Sequence, residues 1–235
     1  MFSYTYETRY GDYRNFEEIK KSAILDIVQD VAIKHSQSLG YGLLALRDMG
    51  LAWFLQGIKV RFEKPVSILR PVTAQTAVKD MRGFISDRGC ILTQDSEVVG
   101  KTVAAWFLID TKTMKLQRIP EAMTNAYGTH NFGDPFFTYK KIAPCKDAPI
   151  VGSIKISNKD IDTNKHLNNQ KGAELLMDAL PYDFNFTDMN VLYKASTYLG
   201  DELEVCRKEI ENGYYVHMQT KDKNICVMAT FENIT

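Results

Sequence analysis

The sequence predicts an α+β protein made of two tandem units, each a helix wrapped by an antiparallel sheet. Three observations carry this. An apolar-faced helix followed by a run of strand-like segments occurs twice along the 235 residues. Short turn signals separate the strand-like segments, Asn212-Gly213 being the clearest. Between the two runs lies a stretch with Pro120, Pro135, Pro144 and Pro149 that sustains neither a two-residue nor a 3.6-residue period. A one-faced helix and a one-faced sheet each need cover, and each can supply it to the other.

The first helix is expected over 16–38. Asn15 stands at the N-cap position with Glu18 three residues on, the spacing of a capping box. Ile24, Ile27, Val28 and Val31 fall on one face, and Gly40 and Gly42 end the helix. Strands follow at 51–62, at 72–78, and at 84–93 and 98–109, the last two a hairpin around Asp95-Ser96-Glu97. The chain then turns at 110–115 into a short strand near Leu116-Gln117-Arg118. This first unit covers 1–125, a connector 126–147 and the second unit 148–235. In the second unit a strand at 150–157 leads through a polar loop into a helix over 168–180. Ala173, Leu176, Met177 and Leu180 share its apolar face, and Pro181 stops it. Strands near 189–195, 202–210, 214–220 and 225–232 complete the order.

Composition bounds the function. Hydrophobic residues at 45% and charged residues at 25% are those of an ordinary globular chain. The 29 basic and 29 acidic side chains cancel and no nucleic-acid module is present, so nucleic acid is not an expected partner. Cys90, Cys145, Cys206 and Cys226 form no CxxC pair and have no histidine at zinc-ligand spacing. They read as free thiols in a reducing compartment, and no metal or other cofactor is expected. No apolar run approaches the ~20 residues of a membrane helix, and Met1-Phe2-Ser3-Tyr4 is no basic-then-apolar signal, so a cytoplasmic, membrane-free chain is expected. The oligomeric state stays open, a homodimer included. Neither a Gly-rich phosphate loop nor a Gly-x-Ser-x-Gly elbow occurs.

The densest group of chemically useful side chains is Asp160-Ile161-Asp162-Thr163-Asn164-Lys165-His166-Leu167-Asn168-Asn169, just before the second helix. In a locally extended loop, alternation sends Asp162, Asn164 and His166 to one side. Hydrolytic attack on an acyl group needs such residues. A base must deprotonate or orient water, and donors must receive the oxyanion. Free N–H groups at a helix start are such donors. Capping alone accounts for Asn168 or Asn169, but not for the whole set. His35 reads as a packing or surface residue, while His130 and His217 have no partner that the sequence names.

Asp162-x-Asn164-x-His166-x-Asn168-Asn169-x-Lys171 resembles the catalytic-segment motif of the acyl-ACP thioesterases, the family of the plant plastid enzymes and their bacterial relatives. In the first half, His35-Ser36-Gln37-Ser38-Leu39-Gly40 resembles the end of that family's first helix. Val99-Gly100-Lys101-Thr102, Ala105-Trp106-Phe107 and Leu116-Gln117-Arg118-Ile119-Pro120 resemble its strand and linker pattern. The likeness runs in order over nearly the whole chain. It implies a double hot-dog fold and hydrolysis of fatty acyl-ACP to free fatty acid and ACP in fatty acid biosynthesis. It implies Asp162, Asn164 and His166 as the catalytic set, with Asn168, Asn169 and Ser196 as neighbours. The plant members' transit peptide has no counterpart, as in a short bacterial-type form. One departure stands out. The plant members carry a Tyr-Arg-Arg-Glu-Cys-like segment whose glutamate is assigned to the active site. Alignment on Tyr193-Lys194 puts Ser196 at that glutamate and Thr197 at the cysteine, with no acidic residue before Asp201. Asp162 is then the remaining acid and His166 the remaining base.

The alternatives are an acyl-CoA thioesterase on the same fold and a non-catalytic acyl-thioester binding protein, which Ser196 keeps open. A hydratase fits the motif less well. The acyl chain is expected in the first unit, against the first helix and the strand bearing Trp53 and Phe54, with Ala23 and Ala52 as small lining positions. Trp53 and Trp106 read as core or acyl-tunnel lining. Lys155, Lys159, Lys165 and Lys171 flank the motif and Lys140, Lys141 and Lys146 precede it. Together they are expected to form a basic rim for the acidic acyl carrier protein.

Overall fold

The computed structural model describes residues 1–234 and divides the chain into two units, Met1–Tyr139 and Lys140–Thr235. The first unit carries β1 (Phe2–Tyr6), β2 (Leu51–Phe62), β3 (Val72–Arg82), β4 (Ile85–Gln94), β5 (Glu97–Asp110) and β6 (Lys115–Leu116). These pair antiparallel in the order β1-β3-β4-β5-β2, with β6 on the end of β5. The expected hairpin of β4 and β5 closes on Asp95 and Ser96, at φ 52° and 68°. Two successive left-handed residues give the turn whose twist matches that of the strands.

Helix α1 (Lys21–Ser38) packs on β1 and β3 and buries Ile24, Ile27, Val28, Val31 and His35. It begins five residues later than the capping-box reading placed it. Asn15 Oδ1 accepts from the N–H groups of Glu17 and Glu18 in a local turn, at 2.8 and 2.9 Å. Ile19 is buried and donates its N–H to the Val66 carbonyl, so the chain is extended there. Phe16 is 94% exposed. Two further helices were not foreseen, α2 (Leu43–Asp48) and α3 (Glu121–Tyr127). Each is one to two turns long, too short for a periodic signal. Leu46 of α2 and Met123 of α3 bury themselves with Leu108 and Ile119. The stretch expected as a connector is therefore structured at its start. Farther along it, Phe136 and Phe137 bury themselves against Val103, and the Phe132 ring lies where a Cβ on Gly89 would sit.

The second unit orders β7 (Ile150–Lys155), β8 (Asp188–Tyr193), β9 (Glu202–Ile210), β10 (Gly213–Gln219) and β11 (Ile225–Glu232) as β8-β11-β10-β9-β7, all antiparallel. Gly213 closes the β9–β10 turn, where a Cβ would come within 2.0 Å of the Phe231 carbonyl oxygen. Helix α4 (Asn169–Asp178) packs on β10 and β11 and buries Ala173 and Leu176, two of its four expected apolar positions, with Gln170 and Gly172. All four cysteines are free thiols. Among the described residues no helix is long and apolar enough to cross a membrane.

Candidate active site

The polar loop before α4 is a closed turn rather than an extended segment. Its two ends are fastened first. Ser157 donates its N–H and Oγ–H to Asp160 Oδ2, at 2.9 and 2.5 Å, which caps the 3-10 turn Asn158–Asp160. Asp160 is 4% exposed, and its carbonyl accepts the Asn168 N–H at 2.8 Å. Ile161 then bridges Leu167, and Asp162 N donates to the His166 carbonyl at 2.8 Å. Lys165, at φ 63°, makes the bend between them.

The Asp162 carboxylate fills this turn. Oδ1 accepts the N–H of Asn164 at 2.8 Å and that of His166 at 3.3 Å, while Oδ2 lies 3.5 Å from the Asn164 amide nitrogen. Asp162, Asn164 and His166 are thus brought together, but by one carboxylate organising a turn. The expected alternation along an extended loop is corrected, because an Asx side chain bonding forward to backbone N–H groups bends the chain. His166 is half-buried, with its ring edge-on to Tyr198 at 5.0 Å, and Asn164 is exposed. Leu167 N donates to the Thr197 carbonyl at 2.8 Å, tying the loop to the segment after β8. In that segment Thr197 is buried and Ser196 is exposed.

Asn168 is the N-cap of α4. Its Oδ1 accepts from Gln170 N at 2.8 Å and Lys171 N at 3.3 Å. Two first-turn donors are therefore committed to the cap, which leaves the Asn169 N–H as the first-turn donor outside it. The Asn169 carbonyl accepts the Tyr193 hydroxyl at 2.7 Å. Sequence reasoning missed Ser157 and Tyr193. The Ser157-x-x-Asp160 spacing was a readable signal for the first; nothing local marks the second. Of the lysine rim, Lys155, Lys159 and Lys165 are exposed, whereas Lys171 pairs with Glu174 at 2.5 Å.

In the first unit the four expected lining positions do not share a surface. Trp53 packs on the Leu46–Leu108–Met123 cluster, and Ala23 is buried on α1. Strand alternation sends Ala52 and Phe54 to the opposite face of β2 from Trp53. His35 is buried, with Nδ1 2.8 Å from Arg88 Nη1, and burial followed by the Arg88 charge pushes its pKa down to about 4. His130 packs edge-on to Phe132 at 4.9 Å. His217 does have a partner, Gln219 Oε1 at 3.0 Å from Nε2.

Comparison with known proteins places this geometry. Residues 1–127 match the acyl-ACP thioesterase N-terminal domain and residues 145–232 the acyl-ACP thioesterase C-terminal domain. The oleoyl-acyl carrier protein thioesterase 2 of Arabidopsis thaliana is 22% identical over 179 residues, 68% of this chain and 48% of that protein. The chain spans about half the length of the curated relatives it matches. The structure of an acyl-ACP thioesterase from Bacteroides thetaiotaomicron superposes with a TM-score of 0.87 at 18% identity, over 98% of this chain and 96% of that one. The 12:0-ACP thioesterase from Umbellularia californica gives 0.85 at 16% identity over the same shares. The fold is that of the hot-dog thioesterases, as the sequence predicted. With both domain types matched in order along most of its length, the chain belongs to the acyl-ACP thioesterase family.

Proposed function

We propose that this chain hydrolyses fatty acyl-ACP thioesters to free fatty acid and ACP, as a step of fatty acid biosynthesis in the cytoplasm. The observation that carries the reading is the Asp162 turn, which holds Asn164 and His166 on one carboxylate at the start of α4. His166 acts as the base that takes a proton from water, imidazole being the commonest general base. Asp162 fixes the loop that presents it, and Oδ2, which accepts from the Asn164 amide, keeps a second lone pair to orient the same water. Asn164 contributes an exposed amide to the substrate side. The Asn169 N–H receives the oxyanion, favoured by the partial positive charge of the helix start. The acyl chain lies on the helix-covered face of the first unit, with Ala23 and Trp53 in its lining. The lysines about the loop meet the acidic carrier protein.

Ser196 favours a second reading. It is exposed on the segment tied to the catalytic loop, where the family resemblance places a glutamate. A protein that binds acyl thioesters without turnover would show this loss. Release of free thiol, measured with acyl-ACP and acyl-CoA of equal chain length, tests both. A higher kcat/KM for acyl-ACP is expected. A higher value for acyl-CoA would change the substrate, and tight binding with no thiol release would leave only the binding protein.

A further inference from the structure

The helix-covered face of the first unit holds a buried cation that the proposed chemistry does not use. Arg88, on β4, is 8% exposed. Its surroundings are His35 Nδ1 at 2.8 Å, Thr76 Oγ1 at 3.4 Å and the Tyr127 ring, whose centroid lies 5.5 Å from the guanidinium carbon. Among the described residues no carboxylate pairs with it, and burial lowers its pKa. A guanidinium has five N–H donors, and a charge taken out of water without a counter-ion is costly.

A second donor stands beside it. Trp106 Nε1 is buried with no acceptor in reach among the described residues. Arg88 pairs with Ala104, and Ser86 with Trp106, across β4 and β5. Arg88 and Trp106 are therefore diagonal cross-strand neighbours on one face, a spacing of about 7–8 Å that long and aromatic side chains span. It is the face α1 covers, because His35 of α1 touches Arg88. The rest of this face is mostly apolar, with buried Ser86 opposite Trp106. Ile58 pairs with Ala104, both are buried, and Val28 and Val31 of α1 are buried as well. A buried guanidinium without a counter-ion, beside an indole N–H without an acceptor, is the mark of a site completed by a ligand.

We propose that Arg88 and Trp106 Nε1 form a binding site for a carboxylate at the end of an alkyl chain. The charge sets the class: one guanidinium beside a neutral imidazole balances one negative charge, and its fork suits a carboxylate. Two sources carry that chemistry, a free fatty acid and the far-end carboxylate of a dicarboxylic acyl thioester. The proposal deepens the reading above by assigning a ligand group to the unit proposed to hold the acyl chain, and it is tested by binding as well as by turnover.

Calorimetric titration of the intact chain with decanoate and with methyl decanoate reads the first source. Wild type should bind decanoate at least tenfold more tightly, Arg88→Met should abolish the preference, and Trp106→Phe, which keeps the ring, should lower it about threefold. Hydrolysis of decanoyl-ACP against its ω-carboxylated analogue reads the second, with a preference for the analogue that Arg88→Met removes. Equal affinities in wild type together with no preference for the analogue overturn the site, as does a preference that survives in folded Arg88→Met. Should Arg88→Met not fold, undiminished selectivity in Trp106→Phe overturns it instead. Carboxylate-selective binding by a chain that hydrolyses no thioester leaves this site standing and removes the proposed hydrolysis.

Discussion

His35 lies in the last turn of α1, and His166 lies two residues before the N-cap of α4. The first is buried, holds Arg88 through Nδ1, and has its pKa pushed down to about 4. The second is half-buried, with its backbone fastened by Asp162 and its ring against Tyr198. An imidazole kept neutral and already accepting a hydrogen bond has little to offer a water molecule. The other is half-buried at the mouth of a polar turn, next to a helix start. The helices differ in the same sense. α1 has 18 residues and a row of buried aliphatic side chains, and begins at Lys20 with no side-chain cap. α4 has 10 residues and begins at Asn168, whose side chain caps it twice. The long helix has no side-chain cap and rests chiefly on burial. The short one depends on a polar start, and the candidate active site is built from that start.

The largest effects should separate the two histidines. In His166→Ala, single-turnover hydrolysis of acyl-ACP should fall by about 10²–10⁴-fold, with thermal stability nearly unchanged. In His35→Ala, Arg88 loses its closest acceptor, and unfolding should be easier by roughly 2–3 kcal/mol, with turnover in the folded fraction largely kept. Near-wild-type rates in folded His166→Ala would break the contrast.

Stability against pH sharpens it. The His35 pKa is lowered from 6.5 to about 4 on folding. Between those values the unfolded chain binds the extra proton and the folded chain does not. Stability from this group is thus fully present above about 6.5 and drains away as pH falls toward about 4. Urea midpoints at several pH values in that window should slope downward in wild type and flatten in His35→Gln, whose amide oxygen can still accept from Arg88. An equal slope in both proteins would place the titrating group elsewhere.

The two helix starts are tested by Asn168→Ala and Lys20→Ala. The first removes acceptors for two backbone N–H groups and should cost about 1 kcal/mol. The second should change the denaturation midpoint within error. Equal costs would mean that α4, like α1, is held by burial.

How far the sequence foretold this follows from the same physics. Apart from β1, which was not foreseen, the strand positions and the β4–β5 hairpin were legible because alternation and turn residues are local. The second half of α1 was legible through Ile24, Ile27, Val28 and Val31. Its start was not: Asn15 and Glu18 have capping-box spacing, but Ile19 is recruited by Val66, 47 residues on. The composition of the polar loop before α4 was readable, and its conformation was not. The same Asp162 that alternation aimed sideways folds its carboxylate back onto the backbone. Trp53 and Phe54 were grouped by adjacency, whereas neighbours on a strand face opposite ways.

The smallest expected effect concerns charge around α4. Lys159 and Lys165 are exposed in the polar loop before α4, so each should help steer an acidic carrier. Lys171 is differently placed, because Glu174 lies 2.5 Å from its ammonium and offsets its field. Exposed charges act mainly on the association rate and are screened within about 8–10 Å at physiological salt. Lys159→Glu and Lys165→Glu should therefore each lower kcat/KM for acyl-ACP by a few-fold at low salt, with kcat little changed. The loss should shrink as salt rises, and a small artificial thioester should be cleaved as before. Lys171→Gln should have a smaller effect than either. Lys20→Glu, at the start of α1, should have none and serves as the control. If Lys20→Glu slows acyl-ACP hydrolysis as much as Lys159→Glu does, the carrier responds to total charge rather than to the rim around α4. If none of the reversals matters at any salt, carrier docking does not use this rim, and acyl-CoA becomes the better substrate.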